Sequence, residues 1–234
     1  MSEQDLAVRT GDGLDAAVDG PDAPLSPRRR RTRERLLDAA FALFAEDGVD
    51  ATSIEAVCER AGFTRGAFYS NFASKHELLL ALAGREQSRH LAELREAIAA
   101  ATADGLPGAD LDVADVGRFA GALLERMSDD RRWRVVSAEL RLLALRQPAV
   151  AGDYLGLEEQ MVTECAAEVE RLAARVGRRF VVDARQVLLL VAEGYHADIR
   201  TAELSGGAVR AQDLAAAWLP TVVERLTVPA DAPA

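Results

Sequence analysis

TSIEAVCERAGFTRGAFYSNFASK, Thr52 to Lys75, is the stretch on which the reading of this chain turns. Thr52 with Glu55 three residues on has the spacing of a capping box, which would satisfy two otherwise orphan backbone N–H groups at a helix start. Ile54, Val57, Cys58 and Ala61 then recur at i, i+3, i+4 and i+7 and predict one apolar stripe on a short helix. Gly62 is a left-handed stop, since glycine takes positive φ there without a Cβ penalty. Thr64 can cap a second helix with Ala67, Phe68 and Phe72 facing inward and Arg65, Gly66 and Tyr69 facing out. Two short amphipathic helices joined this tightly make a helix-turn-helix, whose second helix has the width of a DNA major groove.

Charge is distributed to suit that reading. The net charge is −10, unusual for a DNA binder, yet residues 1–27 carry six acids and one arginine while residues 28–76 carry nine basic and seven acidic groups. Positive charge concentrates at Arg28, Arg29, Arg30 and Arg31, followed by Arg33 and Arg35, just ahead of the two-helix motif. A run of this kind is either a solvated face or an arm for phosphates or the minor groove. Residues 1–27, rich in Gly, Asp and Pro, read as a disordered acidic tail.

A helix from about Thr32 to Glu46, with Leu36, Leu37, Ala40, Phe41 and Phe44 inward, would supply the support that two short helices lack. After the motif Ser74 can cap a long helix reaching about Ala103, the natural mechanical link to the rest of the chain. Further helices are predicted over about Asp112–Met127, from Ser128–Asp130 to Arg146, from Pro148 to about Val176, over Asp183–Leu204 and over Ala211–Thr227, the last interrupted by Pro220. No strand signal, repeat or phosphate-cradling glycine loop stands out. The fold class is therefore all-α with about nine helices. Residues 28–75 would form a three-helix DNA-binding domain, residues 76–228 a helical bundle, and residues 229–234 a frayed tail.

Hydrophobic residues make up 49% of the chain, enough for a sizeable core. No apolar run approaches the ~20 residues needed to span a bilayer, and the N-terminal stretch does not read as a secretory signal, so a cytoplasmic location without membrane contact is expected. Cys58 and Cys165 both fall on apolar stripes and read as buried thiols. The three histidines share no ligand spacing with each other or the cysteines, so neither a metal site nor a cofactor is expected. No catalytic constellation is recognisable, and an enzyme is not expected.

The run AGFTRGAFYSNFASKHELL, Ala61 to Leu79, preceded by GVDAT at Gly48–Thr52, resembles the tetracycline-repressor-like (TetR) family of bacterial transcription regulators. The likeness is close over roughly Arg28 to Leu82; beyond it only the helical layout is similar. Where the family often has a Tyr-His pair, this chain has Ser70 and Asn71, which changes the available phosphate contacts. Matching positions gives Arg65, Gly66 and Ala67 base-facing places and Tyr69 and Lys75 phosphate places. The chemistry agrees: an arginine fork pairs with guanine O6 and N7, glycine lets the backbone approach, alanine can touch a thymine methyl, and a tyrosine hydroxyl or a lysine can bind phosphate. Thr64, Ser53, Asn71, Arg30 and Arg31 complete the expected DNA-contacting set.

The resemblance further implies a C-terminal domain that makes a homodimer and encloses a small-molecule effector cavity. Asp183–Leu204 and Ala211–Thr227 would be the dimerising pair. The run Val187 to Ala192 is apolar on all sides, as either an interface helix or a core helix would be. Phe119, Leu123, Met127, Trp133, Tyr154, Met161 and Cys165, from three successive helices, are candidate cavity residues that a plain core would explain equally. His196, beside Tyr195, is either a ligand contact or a satisfied interface histidine; His76 and His90 read as solvent-facing. The function expected is a homodimeric repressor released from a near-palindromic operator by an effector. The alternative is a constitutive dimeric DNA-binding protein with no cavity.

Overall fold

A computed structural model describes residues 26–103, 121, 124, 130–206 and 208–232. Nine helices occur among these: α1 Pro27–Asp47, α2 Ile54–Ala61, α3 Arg65–Tyr69, α4 Lys75–Ala103, α5 Arg131–Arg146, α6 Pro148–Arg175, α7 Ala184–Leu204, α8 Ala211–Ala216 and α9 Leu219–Leu226. The fold is all-α, as expected. Two three-residue strands, β1 Arg178–Phe180 and β2 Thr227–Pro229, pair antiparallel with Arg178 opposite Pro229 and Phe180 opposite Thr227. They escaped the sequence reading because three residues carry no alternation, and their partners lie about fifty residues apart.

Local chemistry explains the helix ends, with two departures from expectation. Helix α1 begins at Pro27 rather than Thr32, because Ser26 accepts the Arg29 N–H on its hydroxyl and Pro27 occupies the first turn. The arginine cluster is thus helical, not an extended arm. At α2 the cap is Ser53, whose Oγ accepts the Ala56 N–H at 3.0 Å, while the Thr52 hydroxyl donates to the Gly48 carbonyl. The Thr52–Glu55 box does not form, and Glu55 is left free to turn outward. Gly62 adopts φ 71°, and the Phe63 N–H closes back on the Cys58 carbonyl at 2.9 Å, the paired-bond termination that requires a left-handed residue.

Helices α1 to α4 pack around Leu36, Phe44, Val57, Phe68, Phe72 and Leu79, and Val136, Leu140 and Ala144 of α5 with Val150 of α6 join the same core. The apolar interior therefore continues past residue 75 into the following helices. Beyond it, among the described residues, Leu91, Leu94, Ile98 and Cys165 form one cluster, and Tyr195, Ile199 and Ala215 another. Leu94 and Cys165 of the first and Tyr195 of the second line one cavity. The chain between Ala211 and Thr227 breaks at Ala217–Trp218, with Pro220 in the first turn of α9. The Trp218 ring lies against Gly194, where a Cβ would sit 2.9 Å from a ring carbon, and its Nε1–H donates to Asp198 at 2.8 Å. Trp218 thereby packs between α7 and α9. Of the stretch 104–129, Gly121 and Leu124 are described, and both are helical.

Candidate DNA-reading surface and effector cavity

Helix α3 is only five residues long, so few side chains can project from it. Phe68 and Phe72 anchor it inward, and Thr64 caps it by accepting the Ala67 N–H at 3.2 Å. That anchoring turns Arg65, Gly66 and Tyr69 to solvent, with Thr64 and Ser53 exposed nearby and Ala67 half-buried. The Arg65 guanidinium pairs with Glu55 of α2 at 2.8 Å and stands 6.0 Å from the Tyr69 ring. Both partners of that ion pair are exposed, so it orients the fork without holding it strongly.

The arginines of α1 divide into two groups. Arg29 donates to the Ser70 carbonyl and Arg33 to the Asn71 carbonyl, each at 2.9 Å, just past the end of α3. Arg35 donates to the Ala61 carbonyl at 2.7 Å, at the end of α2. Cations at the negative ends of both reader helices satisfy carbonyls that the helices leave open. Arg33 also lies over the Phe72 ring and Arg35 over the Phe63 ring. Arg28, Arg30 and Arg31 are exposed and have no side-chain partner among the described residues.

Lys75 and Asn71 sit differently from the other expected contacts. The Lys75 ammonium donates to the carbonyls of Val49 at 2.7 Å and Thr52 at 2.9 Å, with Asp50 at 3.4 Å. Its three protons are thus committed to the turn between α1 and α2, which a phosphate would have to displace. Asn71 is buried, its Nδ2 donating to the Ala67 carbonyl at 2.8 Å while Oδ1 has no partner among the described residues. Both braces are invisible in sequence, where a lysine and an asparagine beside a recognition helix look like phosphate ligands.

Between α4, α5, α6, α7 and α9 lies a cavity of about 390 Å³. Trp133, Met161, Cys165 and His196 line it. Tyr154 does not: its ring packs against the reader-side core and its hydroxyl accepts from Arg141 Nε at 3.3 Å, so that Arg141 reaches the cavity in its place. Phe119, Leu123 and Met127 lie outside the described residues. His90 corrects the reading of a solvent-facing side chain. It is 8% exposed, lines the cavity and faces Trp133 with ring centroids 6.1 Å apart. Burial, then the Arg89 charge, lowers its pKa and favours the neutral ring. Burial likewise lowers the pKa of His196, whose Nδ1 is 4.0 Å from Glu193 at the rim. Burial pushes the Cys165 thiol up to about 11, so it remains a thiol beside Met161 at 3.3 Å. Ser137 and Arg178 also belong to the polar lining, and nothing in their sequence spacing pointed to a cavity.

Helix α5 connects the two sites. Trp133, Arg134, Ser137 and Arg141 line the cavity, whereas Val136, Leu140 and Ala144 enter the reader core. From the latter side the Glu139 carboxylate accepts the Val49 N–H, so Val49 is held through its N–H by α5 and through its carbonyl by Lys75. A second connection is ionic. Asp38 of α1 meets Arg85 at 2.7 Å, Arg85 and Arg89 each meet the buried Glu86 at 2.9 Å, and Arg89 reaches Asp130, the cap of α5, at 3.2 Å. The expected link through α4 is present, and α5 accompanies it.

These features define a DNA-binding regulator: a helix-turn-helix with an outward arginine, braced by a helical body that encloses a cavity. Residues 36–82 match the family described as "Bacterial regulatory proteins, tetR family". The chain is 29% identical over 189 residues to the HTH-type transcriptional regulator UidR of Escherichia coli (strain K12), covering 79% of this chain and 90% of that protein. It is 41% identical over 78 residues to the HTH-type transcriptional repressor KstR of Mycobacterium tuberculosis, 33% of this chain and 36% of that one. The solved structure of the multidrug binding protein EbrR complexed with imidazole shares the fold with a TM-score of 0.58 at 23% identity, covering 90% of this chain and 99% of that chain. Residues 36–82 thus carry a DNA-binding segment of the TetR type, and the relative matched over most of the chain is a transcriptional regulator. No helix among the described residues is long and apolar enough to cross a membrane.

Proposed function

We propose that the protein is a homodimeric cytoplasmic repressor that leaves a near-palindromic operator when a small molecule fills its cavity. The observation that carries this reading is helix α5, which lines the cavity with one face and packs into the reader core with the other. A ligand that favours one position of α5 would shift the Val49 turn and hence the spacing of two recognition helices in a dimer. The shift can be no larger than the ligand's difference in affinity between the two states. The cavity also weighs against a constitutive binder with a solid core.

Arg65, Gly66 and Tyr69 are the groove and phosphate contacts in this reading, with Thr64, Ser53, Arg30 and Arg31 on the backbone. Dimerisation through Asp183–Leu204 and Ala211–Thr227 is supported by Leu189 and Leu190 of α7, which are 48% and 56% exposed in the single chain. Footprinting the protein on the DNA upstream of its own gene tests the proposal. A protected inverted repeat, released by a compound that also raises the protein's melting temperature, is expected. Uniform weak protection with no preferred site would overturn it.

A further inference from the structure

The cavity is electrically lopsided. Its acids, Asp130, Glu158 and Glu193, fall at the end formed by the start of α5, the first third of α6 and the middle of α7. Arg178 lines the other end, past the C-terminus of α6; Glu158 and Val176, both cavity-lining, are separated by roughly 27 Å of helix rise. The cavity's other arginines are engaged near the acids. Arg134 pairs with Glu203 at 2.6 Å, and Arg141 is exposed, bonded to Tyr154 and held in the fields of Glu158 and Glu193.

Arg178 has no carboxylate within ion-pair distance among the described residues. Its Nε donates to Thr227 Oγ1 at 2.8 Å and its Nη2 to the Thr227 carbonyl at 3.1 Å, which leaves three of its five N–H donors for something else. The side chain is half-buried and its backbone is pinned, because β1 pairs with β2 and the Ala230 N–H donates to the Gly177 carbonyl at 2.8 Å. Apart from Thr227, the lining residues nearest it along the chain are apolar: Leu172, Val176 and Phe180. A guanidinium fixed in apolar surroundings with open donors and no counter-ion is a receptor for an anion.

We infer that the cavity takes an amphipathic monoanion whose acidic head pairs with Arg178 while its apolar body runs toward Trp133 and His90. This deepens the effector reading and rests on it. The acids at the far end would repel a reversed ligand and so fix the orientation. A charged hydrogen-bonded head in such a site should favour the anion over an uncharged analogue by about ten- to a hundredfold.

The test uses the full-length protein at neutral pH with straight-chain carboxylates from six to fourteen carbons and the alcohols of matched length, followed by Trp emission and calorimetry. At the best length the carboxylate should bind at least about tenfold tighter than the alcohol. Arg178→Gln should bring the carboxylate down to the level of the alcohol, and Arg178→Lys should retain part of the preference. Equal affinity for acid and alcohol in the wild-type protein, or no binding by any carboxylate, overturns the inference without reference to any variant. So does a preference that survives Arg178→Gln and disappears in Arg141→Gln. If the carboxylates bind with the predicted preference but leave operator affinity unchanged, the anion site stands and the effector mechanism fails.

Discussion

Arg65 carries the sharpest residue-scale expectation. It is exposed, aimed away from the core by Phe68, and restrained by a solvent-exposed pair with Glu55 and by the Tyr69 side chain. Arg65→Ala should cost ~1–3 kcal/mol at one base position of the operator and relax specificity there. Binding to a library of single-base operator variants measures this, and an unchanged preference at every position would remove Arg65 from the groove. His90 gives a pH expectation whose sign follows from its lowered pKa. With the folded value below the unfolded one, stability is unaffected while both rings are neutral and is lost as pH falls below about 6.5, where only the unfolded chain takes up the proton. Chemical denaturation between pH 7.5 and 5 should show a decline that is shallower in His90→Gln. A wild-type decline no steeper than the variant's would contradict it. The outward Arg65 and Tyr69 were legible because helical periodicity separates them from Phe68 and Phe72. The burial of His90 was not, since its charged neighbour Arg89 turns instead to Glu86, Glu93 and Asp130.

At the scale of elements, several helix ends were legible from local capping chemistry, although the cap of α2 falls on Ser53 rather than Thr52. Gly62, Thr64, Asp130, Pro148 and Asp183 all stand where their side chains or backbone require. Ser26–Pro27 is also a local signal, and it was obscured by the acidic stretch in which it sits. The double role of α5 was not legible, because its apolar stripe says that one face is buried without saying against what. Glu139 illustrates the point: its partner is the N–H of Val49, ninety residues away. Glu139→Ala leaves that N–H without its acceptor and loosens the Val49 turn from α5. The variant should keep wild-type ligand affinity but lose most of the ligand's effect on operator binding. Full release in Glu139→Ala, measured by anisotropy on labelled operator, would locate the coupling elsewhere.

For the whole molecule the charge pattern matters more than the total. The reader, residues 28–76, has nine basic against seven acidic groups, and the preceding acidic stretch is tethered beside its arginines. Deleting residues 1–25 keeps the Ser26 cap of α1 while removing five net negative charges, since the six acids and one arginine of residues 1–27 all lie before Ser26. The truncated protein should bind operator more tightly, with the difference largest at low salt, where screening is weakest. Identical affinities for both lengths at low ionic strength would mean that the acidic stretch does not compete for the arginines.

Coupling of cavity and DNA surface through the shared helix α5 is the idea on which the regulatory mechanism depends, and thermodynamic reciprocity tests it. A releasing ligand is titrated into the protein with and without saturating operator, and operator is titrated with and without saturating ligand. Operator should weaken the ligand by the same factor by which ligand weakens operator, since both report one coupling free energy. A ligand that releases DNA yet binds equally tightly to the free and the operator-bound protein would contradict the mechanism.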